Sequence, residues 1–430
     1  MKAQRLDSLS VFEYKKRIAR SSGTNEAILP NVQVVMSEIQ KKGDEVILTK
    51  YQQRYGKENY RSIQVSRKEI AEAYKQVDKN TIQALKQMIK NITAVQKAQL
   101  PRKKDTVVYS EKGVKVWREW RPIEKVGLYI PGGNAVYPSS VLMSGIPAMI
   151  AGCSEIIMCS PPQKNGALPA PTVVAADMIG ITNMYKVGGV EAIAAMTYGT
   201  NTIPNVYKIF GAGNSYVTAA KSLAQKIISI DMPAGPSEVF IIADDAANPA
   251  FIAADLLADG EHGVDSACVL VTTSIQVAEA TIVEIEKQLK QLSTSERARK
   301  ALETYGLIAT VDSLDEAISF SNKYAPEHLE IMVKNADSII SQITNAGSVF
   351  VGKWTTKSSG DYATGANHVL PTGGAAKMYP PLGVDGFGKW MQVQKCTQDG
   401  LKKIKKTIEV IAEVEQLPAH KESVSIRFKK

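Results

Sequence analysis

From Val126 to Val351 the chain repeats one pattern: a short apolar run, a glycine or proline turn, then a stretch with helical spacing. The runs 126–130, 155–159, 206–210, 239–243, 268–272 and 347–351 read as buried strands. The stretches 216–225, 249–257, 276–292 and 313–323 read as the helices between them. Strands that are apolar throughout need cover on both faces, and intervening helices supply it. The pattern therefore predicts parallel sheets with helices on both sides. It holds more strand–helix units than one sheet usually takes, so two sheets are expected. At 430 residues and 44% apolar, the chain is long enough for more than one core. No internal sequence repeat accompanies the pattern.

The flanks read differently. Residues 1–60 are polar with helical spacing. Ser66 followed by Glu69 is a capping box, and Ile70, Ala73, Tyr74, Val77, Ile82, Leu85, Met88 and Ile89 continue with helical period. Residues 106–120 alternate and turn at Lys112-Gly113, which predicts a hairpin. The last forty residues are helical again and end in an extended tail.

Composition excludes several functions. The net charge of +9 comes from lysines spread along the chain, with short runs at Lys15-Lys16-Arg17, 402–406 and Lys429-Lys430. These read as solvated faces. No aromatic residues interleave them, so no nucleic-acid partner is expected, although a basic surface favours a small anion such as a dinucleotide. Cys153, Cys159, Cys268 and Cys396 have neither zinc-knuckle nor redox spacing. The N-terminal twenty residues lack the apolar core of a secretory signal. The apolar stretch 141–151 is broken by Ser144, Gly145 and Pro147 and is too short for a bilayer. No membrane partner is expected, and a reducing cytoplasm is the expected compartment.

Histidine is scarce: His262, His328, His368 and His420 are all there are. It is the side chain best suited to binding a transition metal or moving a proton near neutral pH. Asp259 and His262 sit three apart at a helix end and can share one face, as a ligand pair or as a helix-end hydrogen bond. Zinc takes four ligands, and Asp361 and His420 are the candidates for the other two. Glu327-His328 follows Pro326 and is either an acid–base pair facing a cleft or a surface ion-pairing loop. The loops 211–214 and 131–133 each join a strand to a helix. Each is either a phosphate contact or a tight turn. The loop 360–368 is polar and glycine-punctuated.

Longer motifs go further: Val126-GLYIPGG-Asn134, Pro138-SSVLM-Ser144, Asp231-MPAGPSEV-Phe240, Glu261-HG-Val264, Ala325-PEHLE-Ile331, Gly360-DY-Ala363, Asn367-HVLPTGG-Ala375 and Glu415-QLPAH-Lys421. With them the chain resembles the histidinol dehydrogenase family from about Lys112 to its end. The resemblance implies an α/β fold of two incomplete Rossmann-like domains with parallel-rich sheets, a helical N-terminal arm and a C-terminal tail, in an intertwined homodimer. The implied units are 1–23 as the arm, 24–125 with 241–377 as the first domain, 126–240 as the second, and 378–430 as the tail reaching the partner. It implies a small-molecule substrate: L-histidinol, oxidised to L-histidine through the aldehyde with two NAD. A related dehydrogenase for another polar amino alcohol or polyol is the alternative.

The implied site follows residue by residue. Glu327 and His328 are the expected acid–base pair. Asp259, His262, Asp361 and His420 are the expected ligands of one Zn2+ per subunit. Tyr129, Glu191 and Asn214 are expected against NAD. Ser237, Asp259, His262, His328, Asp361, Glu415 and His420 are expected around the substrate, with Glu415 and His420 acting in trans. Three residues depart from the family pattern: Asp259 and Glu191 stand where it has glutamine, and Lys357 where it usually has glutamate. Pairing of Lys357 with Asp259 or a nearby carboxylate is expected to offset the changed charge.

Overall fold

In a computed structural model, residues 2–20, 26–132, 135–233 and 235–429 are described. Gly133, Asn134 and Ala234 lie outside them, and with them the end of the 131–133 turn and parts of two motifs. Two parallel sheets form the frame. The larger has six strands in the order Gln4–Arg5, Leu307–Thr310, Ala267–Thr272, Glu238–Ala243, His328–Met332 and Ser348–Val351. The smaller has five, ordered Met184–Tyr185, Glu155–Cys159, Lys125–Tyr129, Lys208–Phe210 and Ser229–Ile230. Every neighbouring pair is parallel, and the central strands are buried along their length, as apolar runs require.

The hairpin forms as expected, from Val108–Glu111 and Val114–Pro122. A strand that the sequence reading missed, Gly388–Cys396, extends it into a third, antiparallel sheet. The helix Gln398–Val414 then leads to the C-terminal helix Pro418–Ser425, and the tail closes with a short 3-10 turn at Ile426–Phe428 rather than running extended.

Two expectations change. The N-terminal arm is not purely helical: Gln4–Arg5 adds an edge strand beside Leu307–Thr310 before the helix Val11–Ala19. Residues 24–125 were grouped with 241–377, yet the helices within 29–99 lie against the smaller sheet's layer. Leu29–Lys42 packs on Gly189–Tyr198 and Ser215–Ala224, and Lys79–Gln99 packs on Pro138–Ala151. The reason is apolar complementarity. Val32, Met36 and Ile39 share a core with Ile193 and Val217, and Leu85 and Ile92 share one with Val141 and Leu142. No helix among the described residues is long and apolar enough to cross a membrane.

Candidate active site

A cleft of about 780 Å³ lies where the two sheets meet. From the smaller sheet it takes residues at or just beyond the C-terminal ends of strands: Tyr129, Gly132 and the loop Gly211–Asn214. From the larger sheet it takes residues at the N-terminal ends: Ser237 before Glu238–Ala243, Ser266 before Ala267–Thr272, and Glu327-His328 at the start of His328–Met332. The smaller sheet thus uses the usual ligand-binding edge of an open α/β sheet, and the larger uses the opposite one.

The smaller-sheet side of the cleft is closely hydrogen-bonded. Gly211 has φ +116°, and a Cβ there would lie 2.1 Å from the Tyr129 carbonyl oxygen, so only glycine fits. Its N–H donates to Asp231 Oδ2 at 2.7 Å. Asp231 also pairs with the buried Lys221, whose ammonium donates to the Gly211 carbonyl. Asn214 caps the next helix, accepting from the Tyr216 and Val217 N–H groups. Breaking a buried pair by removing one partner costs about 3–5 kcal/mol. Lys221→Met is therefore expected to lower the urea midpoint by that stability, because Asp231 is left buried without its cation. Tyr129 lines the cleft, and its hydroxyl accepts from the Gly189 N–H at 3.2 Å. Glu191 does not line the cleft. It is buried in the first turn of Gly189–Tyr198 and ion-paired with the half-exposed Lys50, so its charge is met by that ammonium. Gly-rich turn, Tyr129 and open volume together fit a dinucleotide.

Glu327-His328 is no surface loop. The helix Leu314–Tyr324 ends at Ala325, whose left-handed backbone (φ 53°) turns the chain inward. Glu327 and His328 are 7% and 2% exposed. Glu327 Oε2 accepts from the Glu238 N–H at 2.8 Å. Burial pushes its carboxyl up to about 8, against the pull of His328. The His328 Nδ1–H donates to the Glu238 carbonyl at 2.9 Å, which leaves Nε2 without a hydrogen-bond partner, 3.7 Å from Asp361 Oδ1. Burial alone would lower this imidazole, but Glu327 and Asp361 outweigh it and raise it above its usual value.

Asp259, His262 and Asp361 do converge, and at their centre is the ammonium of Lys357. It lies 3.1 Å from Asp259 Oδ1, 3.2 Å from Asp361 Oδ2 and 3.0 Å from His262 Nε2. Lys357 and Asp361 share a face of the helix Lys357–Tyr362 by i, i+4 spacing. Ser237 Oγ donates to Asp259 Oδ1 at 2.8 Å. Burial would lower the Lys357 ammonium, but Asp259, Asp361 and Glu327 raise it above the usual lysine range. Burial would likewise raise the Asp361 carboxyl, but His328 and Lys357 hold it below its usual range. His262 is kept low by burial and by Lys357, so it accepts as a neutral imidazole.

This donor set does not fit the implied metal. Zinc binds oxygen and nitrogen at roughly 2.0–2.2 Å, whereas these donors are spaced for hydrogen bonds around a cation already present. Among the described residues, no three His, Cys, Asp or Glu side chains form a group that could hold a metal ion. Glu415 and His420 do not line this chain's cleft; both are exposed, Glu415 in the turn after the helix Gln398–Val414 and His420 on the helix Pro418–Ser425.

Two further cleft residues had no assigned role in the sequence reading. Arg20 forms a buried pair with Glu238 at 2.6 Å, lies 3.8 Å above the Tyr324 ring, and donates to the Tyr324 carbonyl. A lone arginine in a basic arm carries no sequence signal of this. His368 bonds Ser140 Oγ through Nε2 at 3.0 Å and the Asp361 carbonyl through Nδ1 at 3.1 Å. Its place in a long motif was the available signal.

Two parallel sheets clasping one cleft, with a buried histidine–carboxylate pair beside a dinucleotide-sized space, define an α/β oxidoreductase. The profile of the family described as "Histidinol dehydrogenase" matches residues 18–428. Histidinol dehydrogenase of Bacteroides fragilis is 45% identical, over 94% of this chain and 94% of that protein. That of Methanosarcina mazei is 42% identical, over 99% and 97%. The crystal structure of histidinol dehydrogenase from Elizabethkingia anophelis superposes with a TM-score of 0.91 at 43% identity, covering 97% of this chain and 96% of that one. The chain belongs to the histidinol dehydrogenase family.

Proposed function

We propose that the chain oxidises L-histidinol to L-histidine through L-histidinaldehyde, the terminal chemistry of histidine biosynthesis, in the cytoplasm. The observation that carries the reading is the buried Glu327–His328 pair opening on the cleft. NAD, when bound, accepts one hydride in each of two oxidations. His328 Nε2 is placed to take the alcohol proton, because Nδ1 is committed to the Glu238 carbonyl. Glu327 in its ionised form, favoured above about pH 8, draws a proton from water as the water oxygen adds to the aldehyde carbon, and His328, having released the first proton to solvent, then takes one from the gem-diol. The balance is RCH2OH, water and two NAD+ giving RCOO−, two NADH and three protons. Asp361 lines the cleft with a carboxylate held ionised, which suits the ammonium of an amino alcohol.

Tyr129 and Asn214 are assigned to the nucleotide, and Ser237, His262 and Asp361 to the substrate side of the cleft. Glu415 and His420 are assigned to the cleft of a neighbouring copy. Exposed Val410, Ile411, Val414 and Leu417 on the same helices support a homodimer contact there. No step is routed through zinc, because Lys357 takes the centre of the donors assigned to it. That same residue favours a second reading, a family member acting on another polar alcohol.

NADH yield separates the readings. Two NADH per L-histidinol are expected. One NADH with histidinaldehyde accumulating would limit the enzyme to the first oxidation. No NADH with histidinol, but turnover of another amino alcohol or polyol, would replace the first reading by the second.

A further inference from the structure

We propose that Lys357 is a built-in cation standing where the family reading puts a divalent metal, so that this chain's active site is complete without zinc. The argument is geometric. An ammonium has three N–H donors. Those of Lys357 have three acceptors within reach: Asp259 Oδ1, Asp361 Oδ2 and His262 Nε2, at 3.1, 3.2 and 3.0 Å. These are three of the four residues assigned to the metal. The ammonium therefore takes up one atom of each of these three residues and leaves none of its own N–H groups idle.

Burial makes the arrangement hard to displace. Lys357 is 2% exposed and Asp259 0%. The backbone at Lys357 is pinned as well, its N–H donating to Glu330 Oε1 at 2.8 Å. A metal at the same centre would need its donors drawn in to roughly 2.0–2.2 Å. It would also have to evict a buried ammonium or sit against it, and two cations in contact with so little solvent repel strongly. Asp259 fits the same logic. An anionic side chain complements a fixed ammonium and accepts from Ser237 as well.

The consequence is a different division of labour. A metal orients substrate through open coordination positions and polarises it. A saturated ammonium does neither. It fixes Asp259, His262 and Asp361 in place and leaves contact with the alcohol to Asp361, His328 and the cleft serines. Lys357 is thus a positioning residue. The inference rests on the family reading for where a metal would stand, and not on which alcohol is oxidised.

The test reads metal content. The native chain is incubated with zinc, dialysed, and analysed by inductively coupled plasma mass spectrometry; a Lys357→Glu chain is treated alongside. The native chain is expected to retain far less than one zinc, and its NADH rate to be unchanged by a chelator. Lys357→Glu removes the cation and adds a carboxylate at the same place, so it is expected to gain about one equivalent. One zinc per native chain, lost in Asp361→Asn, overturns the proposal. So does a folded Lys357→Glu chain that binds zinc no better than the native one. Metal content is read without substrate, so a failure of the histidinol reading leaves this result standing.

Discussion

A His328→Asn chain is expected to turn over about 10²–10⁴ times more slowly than the native chain, with little change in the KM for NAD. Asparagine keeps a donor for the Glu238 carbonyl and a similar buried volume, so the strand His328–Met332 should stay in place. It cannot accept the alcohol proton. The cleft residues around Tyr129 and Gly211 come from the other sheet and are untouched. Glu327→Gln provides the contrast. The amide oxygen still accepts from the Glu238 N–H, but no longer takes a proton from water. That variant is expected to release the first NADH near the native rate and the second slowly, leaving aldehyde bound or hydrated. Stopped-flow NADH traces with product analysis would read both. A His328→Asn rate within tenfold of native would remove His328 from the role of base.

The sequence exposed the frame because the frame is local. Glu155–Cys159 was legible to the residue, being an apolar run closed by Pro161-Pro162, and Ser66–Glu69 was legible as a cap. His328–Met332 was not recognised as a strand. Its residues His-Leu-Glu-Ile-Met alternate like an edge strand, yet all five are buried. Glu330 is tolerated there because it accepts from the Lys357 N–H, and because burial and the facing Asp255 push its carboxyl well up and hold it neutral. The pairing of Lys357 with Asp259 was legible as a charge argument. Its position at the centre of Asp259, His262 and Asp361 was not, because residues 259–262 and 357–361 meet only through the packing of the helices Pro249–Gly260 and Lys357–Tyr362. Glu191 was legible as a departure, but Lys50, its partner 141 positions away, was not.

Lys357→Met is expected to cost about 3–5 kcal/mol of stability near neutral pH, by the rule for breaking a buried pair from one side. Asp259 and Asp361 keep their burial and lose their shared cation. The pH dependence gives the effect a signature. In the native chain the Asp361 carboxyl is held low by His328 and Lys357 against burial. That contributes stability present above its unfolded value of about 3.9 and lost only as pH falls through the lower, folded value. Without Lys357, one of the causes that oppose burial is gone, and the Asp361 carboxyl moves upward. A raised group contributes most below its unfolded value and loses that contribution as pH climbs. The gap between native and variant should therefore be widest at neutral pH and narrow towards about pH 4. Adding Asp259→Asn and Asp361→Asn to Lys357→Met should recover much of the loss, since a pocket with no charge has none to leave unpaired. Urea unfolding of the native, single and triple variants at neutral and acid pH would measure all three terms. A gap of constant size at every pH would mean that the lysine acts by packing its hydrocarbon stem, and that the three acceptors around its ammonium contribute nothing to the fold.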